Sequence, residues 1–189
     1  MDMSLSDLTG KLLIAMPAMA DARFARSVIY LCSHGPSGAM GLIVNRPRPE
    51  LRFANVITGL GLTPGQDLRD IRVHFGGPVE PQRGFVLHSP DYAGAQGTLR
   101  VSDDAAMTAT VDVLELLATG GGPRAAVLAL GYAGWGPGQL EGEIARNDWL
   151  TGDARPDILF GRADEFKWSA ALKLNGVDPV TLSSTAGRA

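Results

Sequence analysis

The segment Gly131-Tyr132-Ala133-Gly134-Trp135-Gly136-Pro137-Gly138-Gln139-Leu140-Glu141-Gly142-Glu143 constrains this chain more than any other. An apolar run, Ala125 to Leu130, leads into it, and a short helical pattern, Leu140 to Arg146, leads out. A strand must therefore give way to a helix through a turn that carries two large aromatic residues and several glycines. Glycine lets backbone approach backbone or ligand closely, while tyrosine and tryptophan each offer a flat surface with one polar atom. The corner reads as a recognition surface with no catalytic apparatus attached. On the outgoing helix Gln139, Glu143 and Arg146 share one face and Leu140 and Ile144 another. The apolar pair is expected to pack on the sheet. Tyr132, Trp135, Gln139 and Glu143 are then the candidate contacts for a protein or small-molecule partner.

The rest of the chain alternates short strands with a few helices. Lys11 to Met16, Ser27 to Ser33 and Ala39 to Asn45 read as strands, the last two forming a hairpin about Gly35-Pro36-Ser37-Gly38. Arg46-Pro47-Arg48-Pro49 breaks the pattern, because proline lacks an amide donor and restricts its predecessor. Phe53 to Leu60 predicts a short helix and residues 61 to 70 a loop. Ile71 to Phe75, Gly84 to His88, Gly97 to Val101 and Arg124 to Leu130 read as strands. Ser102 as an N-cap, followed by Met107, Val111, Leu114 and Leu117, predicts a helix over 103–118. A helix at 139–146, a brief strand at Ile158 to Phe160 after a break at Pro156, and a helix from Asp164 to Leu174 complete the reading. On the last helix Phe166, Ala170 and Leu174 share a side. Strands in bunches with separated helices indicate an α+β fold. A chain of 189 residues fits one compact domain over 1–189, with an ordered core of about 8–175 and a partly ordered tail at 176–189.

Familiar catalytic signatures are missing. Gly134-x-Gly136-x-Gly138 does not match the dinucleotide or P-loop fingerprints, and Glu141 and Glu143 would repel a phosphate seated at the helix start. Cys32, His34, His74 and His88 lack paired metal-ligand spacing, so no metal or other cofactor is expected. There is no GxSxG elbow, and His88-Ser89-Pro90-Asp91 is too local for a triad. Cys32 and His34 alternate onto one strand face, which leaves an enzyme using Cys32, His34 or His88 as the alternative to a binding protein. Asp21 and Asn45, near the ends of the hairpin, are types that hydrogen-bond turn backbone, and they are candidate neighbours of the corner. Gly76-Gly77-Pro78-Val79 predicts a tight backbone approach.

Net charge is −3 at pH 7, which does not favour direct nucleic-acid binding, although Arg23, Arg26, Arg46, Arg48 and Arg52 could form a local basic patch. One cysteine rules out an internal disulfide and fits a reducing compartment. Met1 to Gly10 has no signal-peptide pattern, and Leu12 to Ala20 is too short and proline-broken to span a bilayer. A cytoplasmic protein is expected.

Several motifs together resemble one family. They are Leu12-Ile14-Ala15-Met16-Pro17, Asp21 with Phe24, Ser27-Val28-Ile29-Tyr30, His34, Gly38-Ala39-Met40-Gly41 and Val44-Asn45-Arg46-Pro47. Gly76-Gly77-Pro78-Val79, Arg83-Gly84-Phe85-Val86-Leu87-His88 and Gly131 through Ile144 complete the set. In order and spacing they resemble the AlgH/YqgE family of bacterial proteins, from about Leu12 to Gly187, least so at 48–70, 91–100 and Gly136-Pro137. The resemblance implies a cytosolic α+β fold with a mixed, barrel-like sheet flanked by helices. It also carries a label of transcriptional regulation linked to alginate production, with no established reaction and no agreed active site.

Overall fold

In the computed structural model, which describes residues 6–94 and 96–181, the expected hairpin is the centre of one curled sheet. The readings of the extreme N-terminus and of most of the tail lie outside the described residues. Strand β1 (Lys11–Ala15) pairs antiparallel with β2 (Val28–Gly35), which pairs with β3 (Gly38–Ile43). Helix α1 (Phe53–Gly59) precedes β4 (Arg72–Phe75), β5 (Val79–His88), β6 (Thr98–Arg100) and β7 (Ala106–Thr108). Helix α2 (Val111–Ala118), β8 (Ala126–Trp135), α3 (Gln139–Ala145), β9 (Trp149–Asp153), α4 (Pro156–Phe160) and α5 (Asp164–Leu174) follow. The strand order is β6-β7-β5-β8-β3-β2-β1-β9, with β4 joining β8 in the one parallel pair among the described residues. The result is an α+β half-barrel with a mixed, curled sheet, as expected.

Both faces of the sheet are buried. Along β2, Val28, Tyr30 and Cys32 point into one apolar cluster, capped by Ile158 and Leu159 of α4 and by Ala171 and Leu172 of α5. Ile29 and Leu31 point into a second, with Trp135, Leu140 and Trp149. A third cluster packs α1 and α2, through Phe53, Ile57, Val113 and Leu117, onto Val73, Val86 and Leu128. The period-2 alternation of the strands thus feeds two opposite cores.

The longest strands differ from the sequence reading. β8 does not stop at Leu130; it runs through the glycine–aromatic segment to Trp135. Its first half pairs with β4 and β5, and its last three residues pair with β3. Gly131, at φ +75°, lies just before the change of partner: Tyr132 still pairs with Val79 of β5, and Ala133 is the first residue to pair with β3. The backbone at Gly76 and Gly77 lies directly on Gly131 and Tyr132, which is the close approach expected from Gly76-Gly77-Pro78. Helix α2 begins at Val111 and not at 103. Ala105 and Ala106 are buried, and Ala106–Thr108 forms a strand between β5 and β6. Ser102 makes a local turn, accepting the Asp104 N–H at 3.1 Å, and meets the Tyr30 hydroxyl at 2.9 Å. Residues 156–160 are helical because Pro156 occupies the first helical position, where its missing N–H costs nothing.

Helix α5 docks by an unexpected face. Phe166 and Leu174 are exposed, while Asp164, Lys167, Ala171 and Leu172 are buried. The Asp164 carboxylate receives the Arg72 guanidinium at 2.9 Å and lies 2.8 Å from Lys167 Nζ and 3.1 Å from His74 Nε2. Neither of the last two contacts is an aligned hydrogen bond to Asp164 Oδ1. Lys167 donates to the Val44 carbonyl at 2.8 Å, and Arg72 to that of Phe160 at 2.9 Å. Burial alone would raise the Asp164 carboxyl, but the His74 and Lys167 contacts outweigh it and hold the pKa down to about 2.

Candidate functional site

The corner where β8 hands over to α3 is organised around one carboxylate. The indole N–H groups of Trp135 and Trp149 both donate to Oε2 of Glu143, at 2.9 and 2.8 Å. Gln139, one helical turn earlier, donates to Oε1 at 3.0 Å, and its own carbonyl accepts the Gly136 N–H at 3.0 Å. Leu140 buries the opposite side of α3, as its spacing predicted. The two indoles meet edge to face at 6.1 Å, and Phe24 meets Trp149 in the same way at 5.8 Å. Arg23 lies over Phe24 and forks onto Asp21 at 2.7 Å, which holds the Asp21 carboxyl below its ordinary range. Together these groups line an open cleft of 320 Å³, closed on one side by Pro78 and Val79. Its charged groups are Asp21, Glu143 and Asp148 against Arg23.

Four of the six expected contact residues converge here: Trp135, Gln139, Glu143 and Asp21. Tyr132 does not. Because side chains alternate along β8, it faces the first core and packs edge to face on Phe85 at 5.8 Å. It lines a separate, shallower hollow with Met40 and Met107, which Gly134 and Trp135 also border. Asn45 is engaged elsewhere, accepting the Val28 N–H and donating to the Arg26 carbonyl, both at 2.9 Å. Its side chain closes the loop before β2. Arg146 pairs with Asp148 at 3.3 Å and leaves the strip it was expected to share. Trp149 is the residue the sequence reading missed. Its only local signal is a five-residue strand, too short to show period-2 alternation clearly.

Glu143 is the keystone of the corner, so Glu143→Ala should destabilise the fold by about 2–3 kcal/mol, because two buried indole N–H groups lose their acceptor. Glu143→Gln keeps an acceptor oxygen and should recover at least half of that loss. Urea unfolding of the two variants beside the wild type makes the comparison.

The alternative catalytic residues do not meet. A bulge in β2 between Leu31 and Ser33 shifts the alternation, so Cys32 and His34 do not share a face. Cys32 is buried in the first core, and burial pushes its thiol up to about 12. His34 accepts the Leu8 N–H at Nδ1, at 3.1 Å, which places its proton on Nε2, 2.9 Å from Glu141. His88 donates from Nδ1 to the Ser89 carbonyl and accepts from Thr108, both at 2.7 Å. Its burial lowers the imidazole pKa, keeping the ring neutral. Cys32 should therefore resist a thiol-specific reagent at pH 8 in the native protein and react at once in denaturant.

The model of the AlgH-like family matches residues 12–180. A UPF0301 protein of Cereibacter sphaeroides is 57% identical over 183 residues, covering 97% of this chain and all of that protein. One from Ruegeria pomeroyi is 60% identical over 185 residues, with coverage of 97% and 100%. The solution structure of the AlgH protein from Pseudomonas aeruginosa superposes with a TM-score of 0.79 at 44% identity, covering 98% of each chain. A crystal structure of a protein from Corynebacterium diphtheriae shares the fold, with a TM-score of 0.73 at 21% identity over 88% and 86% of the two chains.

Proposed function

Since this chain belongs to the AlgH-like family, we propose that it is a non-enzymatic binding or regulatory protein whose recognition site is the corner cleft. The observation that carries this reading is the cleft itself: three aromatic walls, a carboxylate already fixed by three donors, and a polar rim at Asp21 and Gln139. Rigid aromatic walls with a few placed polar groups are what a small-ligand or side-chain pocket requires. The excess of carboxylates favours a ligand bearing an ammonium, a guanidinium or other N–H donors. In this reading any effect on transcription runs through a protein or small-molecule contact in the cytoplasm and not through direct grip on DNA. Among the described residues no helix is long and apolar enough to cross a membrane.

Trp135 is too buried for truncation to be a clean test, so the rim is the place to act. Affinity capture from cells, with wild type, Asp21→Ala and Gln139→Ala, should yield a protein or small molecule held by the first and lost from both variants. Identical captured material from all three, at unchanged melting temperature, rejects the cleft as the recognition site. Cys32-dependent chemistry on any substrate would favour the enzyme alternative.

A further inference from the structure

A larger recess, of 810 Å³, shares no lining residue with the corner cleft. It runs between the segment after β3, the start of α1, the approach to β4 and the start of α5. Leu51, Phe53, Leu68 and Ile71 supply an apolar wall. Its charge is lopsided: Arg48, Arg52, Arg69, Arg72 and Arg162 stand against Asp70, Asp164 and Glu165.

Of these acids Asp164 and Asp70 are paired, Glu165 has no ion pair among the described residues, and Arg48 is held by Glu50 at 2.8 Å. Asp164 alone serves both Arg72 and Lys167, so the buried floor holds two cations on one carboxylate, with His74 at its side. Arg72 is still 18% exposed and opens this surplus to the recess. Arg69 spends its donors on the backbone carbonyls of Gly121, Pro123 and Arg124, and among the described residues it has no carboxylate partner. Arg162 pairs with Asp70 at 3.1 Å, but both are mostly exposed, which makes that pair weak and easily exchanged. Arg52 is exposed and has no ion pair among the described residues.

We propose that this recess binds a small phosphorylated molecule with a flat apolar body, of about mononucleotide size. Guanidinium forks match phosphate oxygens in pairs, and the arginines here come from separate segments around one opening. A buried surplus of positive charge is costly unless an anion completes it, and burial already disfavours the charged form of Lys167. The volume suits a ligand of this class, and Phe53 and Leu68 suit its apolar part. The overall net charge of −3 argues against a polynucleotide as the occupant.

Titration calorimetry at low ionic strength tests this with AMP, adenosine, inorganic phosphate and a short DNA duplex. AMP should bind one site per chain, with adenosine and phosphate each weaker by about tenfold or more. Arg52→Ala and Arg162→Ala, at unchanged melting temperature, should each weaken AMP by about tenfold, with Arg52→Gln as the replacement if the alanine variant melts early. Asp21→Ala, at the corner cleft, should bind AMP like wild type, which separates this site from that one. No heat with millimolar AMP, AMP binding indifferent to both arginine variants, or a duplex that binds more tightly than AMP would overturn the proposal.

Discussion

Gly77→Ala is expected to leave little folded protein at room temperature. A β-carbon at Gly77 would fall inside the Tyr132 carbonyl and the following Ala133 nitrogen, and one at Gly76 would fall on the Gly131 carbonyl. These neighbours are backbone in β8 and cannot swing aside as a flexible side chain would. Overpacking a core with a methyl group typically costs 1–3 kcal/mol, and here the clash is with main chain, so about 4 kcal/mol or more is expected. Gly59, at the end of α1, has open space around its β-carbon position, and alanine there should be neutral or slightly stabilising. Chemical denaturation of the two variants gives the contrast. A Gly77→Ala protein as stable as wild type would mean that the β4–β5 connection does not cross β8 as described.

Asp164→Ala should cost about 3–5 kcal/mol, because it strands the Lys167 ammonium and the Arg72 guanidinium without their shared partner in a largely dry site. Replacing Lys167 by methionine should cost much less, since it removes a buried charge and leaves Asp164 paired with Arg72. The pH dependence has a definite sign. The folded Asp164 pKa, about 2, lies below the ordinary 3.8. Between those values the unfolded chain binds more protons than the folded one. The stabilisation is thus fully present above pH 4 and fades as pH falls toward 2. It amounts to about 2 kcal/mol, and the Asp164→Ala variant should lack that part of the acid limb. Unfolding free energies measured from pH 7 down to pH 2 test both the size and the slope.

How far the sequence could be read depends on which physics each segment obeys. β1, β2 and β3 were legible because β-branched and aromatic residues alternate between punctuating prolines and glycines. The mixed half-barrel came from the family motifs and not from periodicity. Helix α5 was located by spacing but assigned the wrong buried face, since hydrophobic patterning cannot foresee that Asp164 and Lys167 go inside as an ion pair while Phe166 stays out. β7 was hidden because Met107 fits a helical repeat that begins, in fact, at Val111. At the corner, Trp135, Gln139 and Glu143 were found from the strand-to-helix pattern. Tyr132 was assigned to the same surface because the segment was read as turn; once it is strand, alternation sends the ring to the other core. Trp149 was missed although it lies only six residues after Glu143, because the short strand β9 was not read and the tight turn from α3 that folds it back was not foreseen. The arginine-lined recess was out of reach, being assembled from segments far apart in sequence.

The change of partner midway along β8 has a mechanical outcome. One strand of ten residues is hydrogen-bonded to β4 and β5 at its start and to β3 at its end. It works as a shared spar: neither wing of the sheet can peel off without breaking it. Amide protons of β3, β5 and β8 should consequently exchange with solvent at a common, slow rate, set by opening of the whole molecule.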